Sequence, residues 1–244
     1  MNEVAAIQLL QDKLSVRLPR ILAVVPYTPS SSEVILVMDK VPGTPLADAL
    51  ASFNDHQVAR TTNDLLRLVV ELHDFDAQSS TFRPVAGVDE IRWIGTLMKW
   101  KETPDMRSYE EFIIEGAQGG PKLATPGKRA GLEEWIKRSN GQPFDYSRPP
   151  VFSHGDLVPE NILVDSVTGQ IIGLIDFEFA GWHPYFYNKT RALILRGQGP
   201  DAYPWLENWK RIQSVVWPND KGQAMRYLVI ETTVWENYIQ IFDN

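Results

Sequence analysis

Cysteine is absent from the 244 residues, which excludes disulfides, thiolate nucleophiles and thiolate metal sites. Histidine is scarce, and the four residues at 56, 73, 154 and 183 are too dispersed in the sequence to form an obvious zinc cluster. A basic surplus is missing as well. The chain carries 24 Lys plus Arg against 31 Asp plus Glu, a formal charge of -7, which argues against nucleic acid and anionic membrane as partners. No apolar run approaches the roughly 20 residues that a bilayer-crossing helix requires. The start, Met1-Asn2-Glu3-Val4, lacks the basic residues and apolar stretch of a signal peptide, so a cytoplasmic protein is expected. Repeats and low-complexity tracts are absent too. What the chain does have is apolar content, 43% of its residues, enough at this length for one sizeable core or for two lobes sharing a cleft.

The most informative stretch is 151–181. Two short apolar runs, 161–164 and 171–175, flank the turn-rich segment Asp165-Ser166-Val167-Thr168-Gly169-Gln170, a pattern that predicts a β-hairpin. His154, Asp156 and Asn161 precede the first run, whereas Asp176 and Glu178 follow the second. Antiparallel pairing therefore returns all five to one end of the hairpin, where carboxylates and a carboxamide gather. Such a cluster suits phosphoryl transfer, in which a base orients an attacking hydroxyl and hard metal ions on oxygen ligands neutralise phosphate charge. A plain hairpin with solvated acidic ends is the competing reading.

The motif His154-Gly155-Asp156-x4-Asn161 followed by Ile175-Asp176-Phe177-Glu178 resembles the catalytic loop and metal loop of the aminoglycoside phosphotransferase family. That family belongs to the protein-kinase-like superfamily, and its choline and ethanolamine kinase relatives carry a similar metal loop. The resemblance implies an α+β, two-lobed protein-kinase-like fold, with a truncated N-terminal lobe and a mainly helical C-terminal lobe. It implies ATP and Mg2+ as cofactors and a small-molecule hydroxyl as acceptor. Asp156 is then the base, with His154 bracing its loop, and Asn161 and Asp176 hold Mg2+. Gly155 stands where many protein kinases have arginine, which favours a small acceptor over a protein.

Along the chain, residues 3–14 put Val4, Ile7, Leu10 and Leu14 on one helical face. The resemblance makes Glu3 the candidate for the small-lobe glutamate; a helix-dipole role at the N-terminus is the alternative. Residues 20–25 and 33–38 read as a second hairpin, and the Pro/Gly-rich 38–45 that follows suits a connector between lobes. By resemblance the backbone of Asp39, Lys40 and Val41 contacts adenine there, dividing a partial N-terminal lobe, 1–41, from a C-terminal catalytic lobe, 42–244. Residues 46–51 predict a short helix, and 55–75 a long one capped by Asn54, with His73 as a packed helix-end residue.

Shorter helices are expected over 91–100, 108–114 and 132–138, and C-terminal helices over 188–195, 203–216 and 222–242. Glu110, Glu111 and Glu115 are candidates for facing a cationic substrate, against the alternative of a solvated helix face. Trp182, Trp205, Trp209 and Trp235 are aromatic candidates for a pocket, against ordinary core packing. No Gly-rich phosphate loop and lysine-bearing strand precede the first helix. Gly116–120 and Gly127-Lys128-Arg129 lack the context of a phosphate loop and read as surface turns. Three readings stay open: an active small-molecule kinase, a pseudokinase or ligand-binding protein, and an incomplete chain of an active enzyme. Aminoglycoside, choline-like amine, sugar and other metabolites are all open as acceptors, and the oligomeric state has no sequence signature.

Overall fold

The computed structural model describes residues 2–28, 34–75, 79–86, 102–117, 126–188, 223, 225–226 and 229–230. Helix α1 (Asn2–Leu10) leads into strands β1 (Ile21–Pro26) and β2 (Val34–Met38), which pair antiparallel as the apolar runs predict. β1 and β2 form a sheet of their own, with a bulge between Ile21 and Ala23. Helix α1 is shorter than its apolar pattern. Asp12 adopts φ +61°, in the left-handed region that interrupts a right-handed helix, and Leu14 joins the core from the following loop.

Strand β3 (Thr44–Pro45), helix α2 (Leu46–Ala49), a 3-10 turn (Leu50–Ser52) and helix α3 (Asp55–His73) follow. Asn54 caps α3 with a complete capping box: its side chain accepts from the Gln57 amide, while Gln57 accepts from the Asn54 amide. Beyond β4 (Arg83–Pro84) come helices α4 (Met106–Ala117) and α5 (Pro126–Arg138), then β5 (Val151–Ser153), a 3-10 turn (Pro159–Asn161), β6 (Ile162–Val164), β7 (Ile171–Leu174) and β8 (Gly181–His183). The predicted hairpin is thus β6 and β7, extended by β3 into a three-stranded sheet of order β3-β6-β7. A second three-stranded sheet has the order β4-β8-β5.

Helix α3 is what positions the hairpin. Its apolar stripe, Leu65, Leu68, Val69 and Leu72, is fully buried in the core that also contains Phe152, Ile162, Val164 and Leu174. Each such side chain contributes up to about 1.5–3 kcal/mol of burial. The polar face of α3 grips the hairpin's turn. Gln57 Nε2 donates to the carbonyls of Ser166 and Val167, Thr61 Oγ1 donates to Gly169, and the half of Asp64 turned inward accepts from the Ile171 amide at 3.1 Å. Both ends of the turn are therefore fastened, which leaves the opposite mouth of the hairpin in a defined place.

Two sequence expectations are corrected, and for Trp182 one of two open readings is decided. Gly127, Lys128 and Arg129 form the first turn of α5 rather than a surface turn, and Arg129 makes a bidentate pair with Glu111. Glu110 is not on a solvated face. It is buried, accepting from Arg226 Nε at 2.7 Å and from the Tyr146 hydroxyl at 2.5 Å, and Arg226 also binds Glu133. For Trp182 the core-packing alternative holds: it is a core residue of β8, edge-on to Phe152 and covered by the Arg83 guanidinium. Gly116 lies in α4. The helices expected over 91–100 and 203–216, residues 189–195 of the one expected over 188–195, most of 222–242, and Trp205, Trp209 and Trp235 lie outside the described residues.

Candidate active site

The loop ahead of β6 is shaped by its own short-range bonds. The Val158 amide donates to the Asp156 carbonyl at 2.9 Å, Pro159 opens a 3-10 turn, and the Asn161 amide closes it on Val158 at 3.0 Å. This compact turn brings Asn161 back over Asp156. Asn161 Nδ2 then donates both to the Asp156 carbonyl, 2.9 Å, and to Asp156 Oδ2, 3.0 Å. Both amide protons are spent on one residue, so the group Asn161 has left to offer is an oxygen acceptor, Oδ1.

The loop after β7 is tied to the first loop through Ile175. Its amide donates to the Asn161 carbonyl at 3.1 Å, and its carbonyl accepts from His154 Nε2 at 3.0 Å. With Nε2 protonated, His154 Nδ1 is the acceptor for the Asp156 amide at 3.3 Å. The ring lies against Phe177, centroids 4.3 Å apart, and is fully buried. Burial pushes the His154 pKa down to about 4, so the ring stays neutral near pH 7 and works as a two-ended spacer between the loops. Asp156, Asn161 and Asp176 are thereby brought to the same mouth of the hairpin, as antiparallel pairing requires.

Asp176 has φ +65°, and its carboxyl is held above the usual range by burial, partly offset by a bond from the Glu178 amide. Glu3 lies close by. Burial, followed by the charge of Asp176, raises its pKa, while a bond from the Phe177 amide and the N-terminal amine act in the opposite direction. The sequence candidate at the start of α1 therefore reaches this loop. Two carboxylates that press on each other favour a cation between or beside them. Among the described residues, no group of three or more His, Cys, Asp and Glu is arranged to hold a metal ion. Mg2+ does not require one: it commonly takes one or two protein oxygens together with phosphate oxygens and water. Asp176 and Asn161 fit that donor set.

The predicted hinge packs against β7 of the hairpin. The Asp39 amide is already engaged by the Arg20 carbonyl at 3.0 Å, and its carboxylate accepts from the Arg20 amide. Val41 is buried and packs so closely on β7 that a Cβ at Gly173 would lie 2.6 Å from Val41 Cγ1. Two supports were not singled out from the sequence. Asn188 is fully buried and accepts from the Gly155 amide at 3.1 Å. Asn2 bonds to the carbonyls of Glu178 and Ala180. An asparagine at a helix start gives no sequence indication of a partner about 180 residues away.

Comparison with known proteins bears on this geometry. The sequence matches the family model described as "Phosphotransferase enzyme family" (APH) over residues 1–217. This chain belongs to that phosphotransferase family. No significant match is found among curated proteins. Among solved structures, the fold is similar to that of the GDP and kanamycin complex of APH(2")-IIia, with TM-score 0.63 and 16% identity over 99% of this chain and 80% of that one. It is also similar to the apo form of a thermostable mutant of aminoglycoside phosphotransferase APH(4)-Ia, with TM-score 0.62 and 12% identity over 98% and 78%. The streptomycin-ATP-APH(2")-IIa ternary complex matches with TM-score 0.60 and 14% identity over 99% and 73%. The phosphotransferase family assignment carries the protein-kinase-like fold with it. Within the described residues, no helix is long and apolar enough to cross a membrane.

Proposed function

We propose that this phosphotransferase-family chain transfers the γ-phosphate of ATP to a hydroxyl group of a small molecule, with Mg2+ as cofactor. Asp156 orients the acceptor hydroxyl and takes up its proton, and Asn161 and Asp176 hold the metal. Bound Mg2+ supplies charge neutralisation on the phosphate oxygens. His154 is a positioning residue: neutral and buried, it spaces the two loops without exchanging a proton. The backbone of Asp39, Lys40 and Val41 is the adenine contact, and it divides a small lobe, 1–41, from the large lobe, 42–244.

The observation that supports this reading is the double link through Ile175, which ties the loop carrying Asp156 and Asn161 to the one carrying Asp176. The nucleotides and aminoglycosides named for the similar structures, including GDP with kanamycin and ATP with streptomycin, support a nucleotide donor and a small hydroxylated acceptor.

The test is Mg2+-dependent binding of ATP, followed by phosphate transfer to a panel of aminoglycosides, sugars and amino alcohols. Asp176→Asn is expected to abolish the metal dependence of binding. Asp156→Ala is expected to keep binding and to reduce turnover at least 100-fold. A folded protein that binds no nucleotide at millimolar Mg2+ refutes the reading. Tight binding with no transfer to any acceptor supports a pseudokinase instead.

A further inference from the structure

The first turn of α1 holds the loop after β7 by its backbone. Asn2 is 4% exposed, and its side chain is used from both ends: Nδ2 donates to the Glu178 carbonyl at 2.9 Å and the Ala180 carbonyl at 2.7 Å. Its Oδ1 accepts from the Ala86 amide, 3.0 Å away, just beyond β4. One residue of the helix thus engages residues 178 and 180 of a single loop, and anchors it to a third segment at 86.

The chemistry is specific to asparagine. Two carbonyl oxygens must receive protons while a backbone amide gives one. Aspartate would set its oxygens against the two carbonyls, serine has one proton to donate, and glutamine is a methylene longer in a site with no exposed side. What the clamp holds is strained. Asp176 sits two residues before the first gripped carbonyl at φ +65°, a left-handed conformation that is unfavourable for an aspartate and persists only where the surroundings impose it. Within the loop, the Ala180 amide bonds to the Phe177 carbonyl, so fixing Glu178 and Ala180 fixes the turn that begins at Asp176.

We infer that Asn2 is a positioning residue for metal binding: by clamping the carbonyls of Glu178 and Ala180, it keeps Asp176 in its left-handed conformation and couples the placement of α1 to the metal-binding carboxylate. The inference rests on the proposed Mg2+ role of Asp176. Asn2 touches neither substrate nor metal and acts only through the backbone. Movement of α1 away from the body would release the loop.

The experiment compares wild type with Asn2→Ala and the milder Asn2→Ser, using Thr61→Ala as a control that loses a buried hydrogen bond at the far end of the β6–β7 hairpin. Two quantities are read: amide hydrogen exchange at Ala86, Phe177 and Ala180, and the Mg2+ concentration giving half-maximal binding of a fluorescent ATP analogue. Asn2→Ala is expected to speed exchange at the three amides at least tenfold more than the control does. It should also raise the half-saturating Mg2+ about tenfold without changing metal-free nucleotide binding, with Asn2→Ser between the two. Exchange no faster than in the control, or an unchanged Mg2+ requirement, overturns the inference. If wild type binds no Mg2+-nucleotide, the functional reading fails, and the inference fails with it in its metal arm while the exchange data decide the clamp. If Asn2→Ala does not fold, Asn2→Ser carries both measurements.

Discussion

Gly155 lies against Phe179 so closely that a Cβ at position 155 would stand 2.2 Å from the Phe179 carbonyl oxygen. Its φ of +87° is also one that other L-residues rarely adopt. The loop carrying Asp156 and the loop following Asp176 are therefore in direct backbone contact. Gly155→Ala is expected to force them apart. It should lower stability by about 2 kcal/mol or more and weaken Mg2+-dependent nucleotide binding beyond what the stability loss explains. Urea unfolding and nucleotide titration on the same sample check both parts.

Asn188 supplies the acceptor for the Gly155 amide in a fully buried setting. Asn188→Leu leaves that amide without its acceptor, and a loss of about 1–3 kcal/mol is expected. Asn188→Asp keeps an acceptor and, measured at pH 4, where a buried carboxyl is protonated, should lose less than Asn188→Leu. The order of the two urea midpoints is the measurement, and a reversed order would contradict this role.

The buried cluster of Arg226, Glu110 and Glu133 is a stability element whose members depend on one another. Arg226→Ala strands Glu110, whose side chain is 5% exposed, and should cost about 3–5 kcal/mol. Adding Glu110→Gln removes the stranded charge and should recover part of that loss. A double-mutant cycle in urea gives the coupling; simple additivity of the two changes would show that the pair is not coupled.

Two histidines make folding sensitive to acid. Burial pushes both His73 and His154 down to about 4 from an ordinary value near 6.5. Their folded-state pKa values are depressed, so below about pH 6.5 the unfolded chain takes up protons that the folded chain refuses. Stability is accordingly full above pH 6.5, falls as pH drops from 6.5 toward 4, and is not lowered further by these groups below 4. A total loss of several kcal/mol is the upper expectation for the pair. Denaturant unfolding at pH 7.5, 5.5 and 4.5 checks the slope, which should be shallower in His73→Gln.

Much of the molecule is legible in the chain because the relevant forces are local. The alternation of apolar and turn residues around 165–170 specifies the β6–β7 hairpin, and Asn54 with Gln57 specifies the start of α3. Hairpin geometry alone then puts Asp156, Asn161 and Asp176 at one end. Where reading by period went astray, a distant partner had intervened. Glu110 has the spacing of a solvated helix residue, yet Arg226, 116 positions later, takes it into the interior. For Trp182, where composition leaves pocket wall and core packing both open, strand pairing with β4 and β5 decides for the core.

The sequence by itself determined the residue types available for phosphoryl transfer, their order about a hairpin, and the family to which the chain belongs. Only the tertiary structure decided how those residues are held. His154 spans the two loops, Asn188 supports Gly155, and Asn2 grips the loop beyond Asp176 from a helix about 180 residues distant. The physical reason is that these supports are hydrogen bonds to backbone groups. A main-chain carbonyl or amide is present at every position and leaves no mark in the sequence, so which one a side chain meets is set by the packing of the whole chain.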